Sequence, residues 1–283
     1  MSPSEMVRLA LSRLRSSRLR AALTMLGVVI GVASVVALVG VGQGTTSSIT
    51  TRLNALGTNL LTISASGRNG GSSTLTVEDA TAIAGISTIG AVAPEASTQA
   101  VVAAGRTTTT TSVIGTSAAY ASVRAYDVWQ GTFLTDATVG QSLRVAVLGA
   151  TVATDLGLDA TAIGTQVSIG GLPFEVVGIL QPKGGSGFQD PDNEVLVPIG
   201  IVQKYFVRGD GVRTIGVSVA NANDIQTARN QITALLETRH GIAAGGTDDF
   251  TIFDQAQLLA TASSISGTLT LLLGGIASIS LIV

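Results

Sequence analysis

Cysteine is absent from the 283 residues, histidine occurs once, and only Lys183 and Lys204 among the 16 basic residues are lysine. The first absence excludes disulfides, thiolate metal sites and cysteine nucleophiles. Lys183 follows Pro182 and Lys204 follows Gln203, so a G-x-x-x-x-G-K-[ST] phosphate loop is impossible in this chain. A lone histidine permits no H-x-x-x-H spacing, and no G-x-S-x-G or S-x-x-K pattern marks a serine nucleophile. Aromatics make up 4% and charged residues 12%, against 46% hydrophobic residues, so the apolar mass is Ala, Val, Leu and Ile. That balance suits membrane segments flanking a lightly charged globular domain, which without disulfides must be stable through its core alone.

The charges that are present lie unevenly. Residues 1–20 carry Arg8, Arg13, Arg15, Arg18 and Arg20 against Glu5, a balance of +4, whereas residues 43–264 carry 11 basic and 17 acidic groups, a balance of −6. The basic end adjoins residues 21–42, AALTMLGVVIGVASVVALVGVG, which contain no charge. About 20 such residues at 1.5 Å rise cross a hydrocarbon core of ~30 Å. A buried core helix would rarely be apolar on every face for so long, and a cleaved signal peptide has a shorter apolar region closed by a small-residue site. A retained anchor is the expectation. Arginines before the span place residues 1–20 in the cytoplasm, and Leu9, Leu11, Leu14 and Leu19 between them suit an amphipathic helix on the inner leaflet. The alternative for that segment is a solvated basic tail. No charge follows Asp254, and residues 263–283 read as a second span that is cut short. Gly27 with Gly31, and Gly274 with Gly275, offer small-residue helix contacts, although glycine is common in membrane helices anyway.

Between the spans, residues 43–262 change to short alternating segments. Strands are expected at 59–63, 91–94, 98–102, 107–114, 145–148, 166–169, 174–180, 194–198, 215–219 and 250–253, and helices at 77–84, 150–156, 199–206 and 224–239. Thr76, with Asp79 three residues on, forms a helix start with an acidic first turn. Ile225, Ala228, Ile232, Leu235 and Leu236 share one face of the last helix. Strands and helices mix without a regular βαβ rhythm, which indicates an α+β domain.

Three features invite chemistry, and each has a plainer reading. His240 closes a predicted helix beside Gly241, as a cation at a helix C-terminus does. Asp190, Asp192 and Glu194 alternate as calcium ligands can, but the central glycine and closing glutamate of an EF-type loop are missing, and a solvated loop is expected. Gly184-Gly185-Ser186-Gly187 precedes no phosphate-loop lysine and reads as a flexible hairpin tip. No catalytic, cofactor-binding or metal-ligating residue is assigned, no cofactor is expected, and the chain is not expected to be an enzyme.

Several segments, in order, resemble one family. The opening SRLRSSRLRAALTMLGVVIGVASVVALVGVGQG, then Leu56-Gly57-Thr58-Asn59-Leu60-Leu61-Thr62-Ile63, Leu75-Thr76-Val77-Glu78-Asp79-Ala80 and Ala91-Val92-Ala93-Pro94, are similar to the MacB-like type of ABC transporter permease. Val145-Ala146-Val147-Leu148-Gly149, Pro173–Leu180, Val195-Leu196-Val197-Pro198, Asp248-Asp249-Phe250-Thr251 and Gly274-Gly275-Ile276 extend the resemblance over nearly the whole chain. The resemblance implies a MacB-type periplasmic core domain with an FtsX-like permease region: a porter-like subdomain, by position 43–112 and 211–262, interrupted by a second α/β subdomain at 113–210. It also implies an ABC ATPase partner, expected here on a separate chain, a homodimer or paired permease in the lipid bilayer, and no nucleic acid. The cell (inner or plasma) membrane is the implied location, with residues 43–262 extracytoplasmic. The family's coupling segment and its third and fourth spans do not appear before Val283.

The resulting expectation is a permease, or mechanotransmission, subunit that couples ATP hydrolysis by a partner to movement of the outer domain, exporting peptide, antibiotic or lipid-linked cargo. The alternative is a membrane-anchored extracytoplasmic binding or scaffold module without transport. A membrane-tethered hydrolase is the third class, and no residue constellation speaks for it.

Overall fold

The computed structural model describes residues 59–66, 75–184, 190–207, 209–243 and 245–254, together with scattered positions between 19 and 44 and between 264 and 272. Residues 53–257 form one compact unit, and residues 1–52 with 258–283 form another. In the latter the described positions are helical, and Leu23, Met25, Leu26, Val29, Ile30, Leu271 and Leu272 are exposed. Among the described residues no helix is long and apolar enough to cross a membrane. Most of the two expected spans, and the basic segment 1–20 except Leu19, lie outside the described residues.

The larger unit begins with strand β1 (Leu60–Ala65) and helix α1 (Val77–Ala84). Thr76 starts that helix by accepting from the Asp79 amide through its hydroxyl, while the Asp79 carboxylate accepts from the Thr76 amide at 3.0 Å. This reciprocal cap satisfies two amides that the helix itself leaves unpaired. Strand β2 (Ile89–Ala104) then runs for 16 residues and turns at Gly105, where φ is +60°, into β3 (Thr107–Thr116). Short elements follow: α2 (Tyr120–Val123), β4 (Val128–Gly131), α3 (Asp136–Gly140), β5 (Val145–Leu148) and α4 (Ala150–Asp155). Next come β6 (Gln166–Ile169), β7 (Leu172–Leu180), β8 (Glu194–Pro198) and α5 (Ile199–Val202), the last continued by a π-helical turn, Gln203–Val207. Strand β9 (Thr214–Val219), helix α6 (Ile225–His240) and strand β10 (Phe250–Asp254) complete the unit.

All ten strands connect in one order, β10-β1-β9-β2-β3-β8-β5-β7-β4, with β6 bridging β2 and β7. The path has two halves. In the first, β10, β1, β9 and the beginning of β2 pair antiparallel. Ile63 stands opposite Ile215 on one side and Ile252 on the other, and Leu61 stands opposite Val217, so these side chains share a face. Ala80 and Ile83 of α1 and Ala228, Ile232 and Leu236 of α6 are buried in the same core. Burying a side chain the size of Ile232 contributes about 2 kcal/mol. On the opposite face the short helix α2 sits close over β9: a Cβ added to Gly216 would stand 3.0 Å from Val123 Cγ1.

The second half contains the end of β2, then β3, β8, β5, β7 and β4. Two of its pairings, β3 with β8 and β5 with β7, are parallel. Strands β5 and β8 are buried at every position, as expected for strands covered on both faces. Helix α4 abuts β8 end-on, its first turn donating from Gly149 N to Glu194 O at 2.8 Å and from Thr151 N to Asp192 O at 2.9 Å.

Three differences from the sequence reading have physical causes. The segments 91–94 and 98–102 join into the single strand β2, because the residues between them stay paired, Glu95 with β9 and Ala96 and Ser97 with β3. The helix expected at 199–206 loosens into a π turn after Val202, tied at its end by Gln203 Nε2 donating to Asp210 O at 2.7 Å. The acidic segment at 190–194 is not a solvated loop: Asp192 and Glu194 are buried, at 6% and 8% exposure, because Glu194 begins the central strand β8. Of the glycine-rich tip at 184–187, only Gly184 is described, with φ +74°.

At Gly149 an added Cβ would lie 2.4 Å from Asp192 O and 2.8 Å from Glu194 O, both backbone atoms that cannot move alone. We therefore expect Gly149→Ala to lower unfolding free energy by about 1–3 kcal/mol, read as a shifted urea midpoint with unchanged slope.

Candidate functional site

Strand β2 belongs to both halves of the sheet, and it changes partners between two adjacent residues. Glu95 is the last position paired with β9, opposite Thr214, and Ala96 is the first paired with β3, opposite Gly115. A cluster of polar and aromatic side chains occupies this handover. The Glu95 carboxylate accepts from Arg124 Nη2 at 2.6 Å and Nε at 3.0 Å through Oε1, and from Thr214 Oγ1 at 3.1 Å through Oε2. The side chains of Arg124 and Glu95 are 17% and 10% exposed. Just beyond, the buried Thr116 hydroxyl donates to Pro94 O at 2.9 Å, tying the end of β3 to β2. One ion pair thus binds the segment after α2 to β2, and the same carboxylate holds β9.

Tyr120 and Tyr126 stack with ring centroids 5.8 Å apart, and Arg124 lies 6.0 Å from the Tyr120 ring. Lys183 Nζ stands 3.8 Å from the Tyr126 centroid and donates to Arg124 O. The Asp192 carboxylate accepts from the amides of Lys183 and Gly184, each at 2.9 Å, and Tyr126 Oη donates to Pro191 O at 3.0 Å. Glu194 Oε1 accepts no hydrogen bond from the described residues.

The energetics follow from this burial. Loss of water drives the Glu194 carboxyl up to about 7, with the Glu95 charge adding and the Tyr126 hydroxyl, Arg124 and Lys183 opposing. Burial likewise lowers Lys183 to about 8, only partly offset by the Glu194 charge. For Arg124, burial is the largest influence and works against the charge, but the Glu95 charge and hydrogen bond, with the Tyr120 and Glu194 charges, together outweigh it, and the guanidinium is held more firmly charged. Burial and surrounding carboxylates raise both tyrosine hydroxyls.

A second polar cluster ties α1 to the end of α6 and to the approach to β10. His240, the last residue of α6, lies between two carboxylates: Asp249 Oδ1 is 2.8 Å from Nδ1, and Asp79 Oδ2 is 3.3 Å from Nε2. Arg239 Nε donates to Asp79 Oδ1 at 2.6 Å, and the His240 ring meets Phe250 edge-on. The helix ends at Gly241 in the left-handed region, with φ +67°. His240 is therefore a helix C-terminal cation, as read from sequence, with two specific partners added. Burial raises Asp79, but hydrogen bonds from Arg239, Thr76 and His240 prevail and hold it below the usual carboxylate range. Burial lowers His240, and its hydrogen bonds to the Asp249 and Asp79 carboxylates, with their charges, together more than reverse this. Among the described residues no group of three or more His, Asp or Glu is placed to hold a metal ion.

Sequence reasoning singled out His240, Asp190, Asp192 and Glu194. The structure brings Asp192 and Glu194 to the handover and puts His240 in the other cluster. It missed Glu95, Tyr120, Arg124 and Tyr126, and the only sequence signal for them was a glutamate within a strand-forming run.

This architecture, two half-sheets sharing a long strand with helices packed on them, is a mixed α/β fold shared with solved structures. It resembles the periplasmic region of MacB from Actinobacillus actinomycetemcomitans, with TM-score 0.64 and 23% identity over 76% of this chain and 98% of that one. It also resembles the extracellular domain of the noncanonic ABC-type transporter YknZ from Gram-positive bacteria, with TM-score 0.57 and 21% identity over 69% and 100%. In sequence, the chain is 36% identical over 284 residues to the macrolide export ATP-binding/permease protein MacB of Azoarcus sp., covering 99% of this chain and 42% of that protein. It is 37% identical over 287 residues to the protein of that name from Hyphomonas neptunium, covering 99% and 44%. The chain thus spans less than half the length of these curated relatives. The model of the MacB-like periplasmic core domain matches residues 21–235, and the chain belongs to that family.

Two predictions follow from the clusters. Arg124→Met leaves Glu95 buried without its cation and is expected to cost about 3 kcal/mol, whereas adding Glu95→Leu recovers most of the loss. Equal destabilisation by the single and double variants would refute this. Stability should also fall as pH rises from about 5 to about 8. His240, raised above 6.5, contributes stability that is complete below that value and lost as pH climbs through its folded pKa. Glu194, raised from 4.5 to about 7, keeps a proton that the unfolded chain has released, so the slope has the same sign between those values. Denaturation midpoints measured across this range should flatten in His240→Gln at the upper end and in Glu194→Gln at the lower end.

Proposed function

We propose that this chain is the mechanotransmission part of an ABC exporter: hydrolysis of ATP by a partner ATPase moves the membrane helices, and the outer domain carries that movement to cargo. The observation that carries this reading is the shared strand β2, locked at its handover by the buried Glu95–Arg124 pair. A sheet is stiff along its strands, so a strand common to two half-sheets passes displacement from one to the other. A buried ion pair at the junction resists shear between them.

Other observations agree. The described positions between 19 and 44 are helical with Leu23, Leu26, Val29 and Ile30 exposed, an apolar surface that suits lipid better than water. The five arginines before it favour a cytoplasmic N-terminus. The antiparallel half-sheet of β1, β9 and β10 supports a porter-like part made from residues 43–112 and 211–262, and the part-parallel half supports an inserted subdomain at 113–210. The relatives are named for macrolide export, and for this chain we propose cargo of a broader kind: peptide, antibiotic or lipid-linked. An ABC ATPase, a second permease copy and the bilayer are the proposed partners. We assign no catalysis to these residues.

The cysteine-free sequence makes topology directly testable. In intact cells a membrane-impermeant maleimide should label Thr107→Cys and leave Ser16→Cys unlabelled until the membrane is opened. Co-expression with the cognate ATPase should yield a complex whose ATP turnover exceeds that of the ATPase alone. Labelling of Ser16→Cys from outside would overturn the orientation, and an ATPase that neither binds nor responds would overturn the coupling.

A further inference from the structure

One surface of the larger unit combines features that neither the fold nor the handover cluster uses. At the turn before β5, Ser142 adopts φ +49°, a left-handed conformation uncommon for serine, and Leu143 after it is 42% exposed. Arg144 comes next, and its Nη2 donates to Tyr205 Oη at 3.4 Å, with its guanidinium 5.3 Å from the Tyr205 ring centroid. Lys204 Nζ stands 5.2 Å from the same ring. Tyr205 is 38% exposed, and Val207, two residues further along the π turn, is 45% exposed. The two segments meet closely, since a Cβ added to Gly200 would stand 2.5 Å from Ser142 Oγ.

Neither Arg144 nor Lys204 makes an ion pair with a carboxylate among the described residues, in contrast to Arg124 and Arg239. The donated hydrogen bond from Arg144 and the charge of Lys204 lower the Tyr205 hydroxyl from its usual value. Two unpaired cations are thus gathered around one exposed tyrosine, with two exposed aliphatic side chains adjoining them in sequence. They occupy a domain whose residues 43–264 carry a net charge of −6. Both supporting backbone segments depart from regular geometry, and such departures persist where the surroundings impose them.

We propose that Leu143, Arg144, Lys204, Tyr205 and Val207 form a docking surface for an acidic, apolar-containing segment of another protein. Charge complementarity selects the partner: paired cations with no internal carboxylate present hydrogen-bond donors to Asp or Glu side chains, and the arginine fork matches a carboxylate. Arginine and tyrosine are both residue types enriched at protein interfaces. Recognition of anionic lipid draws on clusters of about four to eight basic residues, and two are gathered here.

The test is selection of a displayed random peptide library on the full chain in detergent, with Arg144→Gln/Lys204→Gln as the counter-target. The expected outcome is enrichment of peptides combining Asp or Glu with Leu, Ile, Val or Phe. A synthetic peptide of the enriched sequence should bind about tenfold more weakly to the double glutamine variant, and more weakly to the wild type as salt rises. Arg144→Glu/Lys204→Glu should enrich basic, apolar peptides instead, a gain that misfolding cannot imitate. No enrichment over the glutamine variant, or the same peptides selected by the charge-reversed variant, overturns the proposal. So does preferential binding of phosphatidylglycerol vesicles lost in the glutamine variant, or a monomer–dimer equilibrium shifted by it, since these assign the surface to lipid or to a second copy.

Discussion

The ion pair between Glu95 and Arg124 is the interaction on which the rest of the larger unit depends. Strand β2 must leave the antiparallel half-sheet and enter the part-parallel one, and at that step the ladder alone gives no reason for the two halves to keep their relative position. Glu95 supplies it. One carboxylate oxygen takes two donors from Arg124, and the other takes the Thr214 hydroxyl from β9. The arrangement is costly in desolvation, and such a pair contributes less to net stability than its short distances suggest. What it supplies is specificity: any slip of β2 against β9 would strand a buried charge.

The same economy governs the surrounding acidic residues. Asp192 is satisfied by two backbone amides and stabilises the end of the segment that follows β7. Glu194 lies on a strand buried throughout and holds its proton into the neutral range, because burial there exceeds the help of nearby cations. The second cluster joins α1 to the C-terminal end of α6 and the approach to β10 through His240. The raised pKa values of Glu194 and His240 act on stability with the same sign, each favouring the folded domain at mildly acidic pH.

The surface around Tyr205 is distinct in kind. The buried clusters bring opposite charges together, whereas Arg144 and Lys204 are brought to one aromatic ring without an ion-paired carboxylate among the described residues. The buried groups serve the domain's internal rigidity, and the exposed ones are available for recognition.

Much of this protein was legible from the order of its residues. The reciprocal cap at Thr76 and Asp79, the one-sided apolar face of α6 and the strands at 145–148, 166–169 and 194–198 all appear where local chemistry puts them. These depend on contacts a few residues apart, or on a period of 2 or 3.6 that the sequence displays directly. The charge asymmetry and the lack of a phosphate loop likewise need no coordinates. The continuity of β2 past Pro94 was not legible, since a proline has no amide for a ladder and reads locally as a break. Nor was the burial of Asp192 and Glu194, because three alternating acids resemble a solvated loop until the strand pairings enclose them. The handover cluster joins residues separated by 29 and 119 positions, Arg124 and Thr214 from Glu95. Only the closing of the sheet brings such groups within hydrogen-bonding distance, so local sequence determined the elements and the tertiary fold alone decided which charges meet.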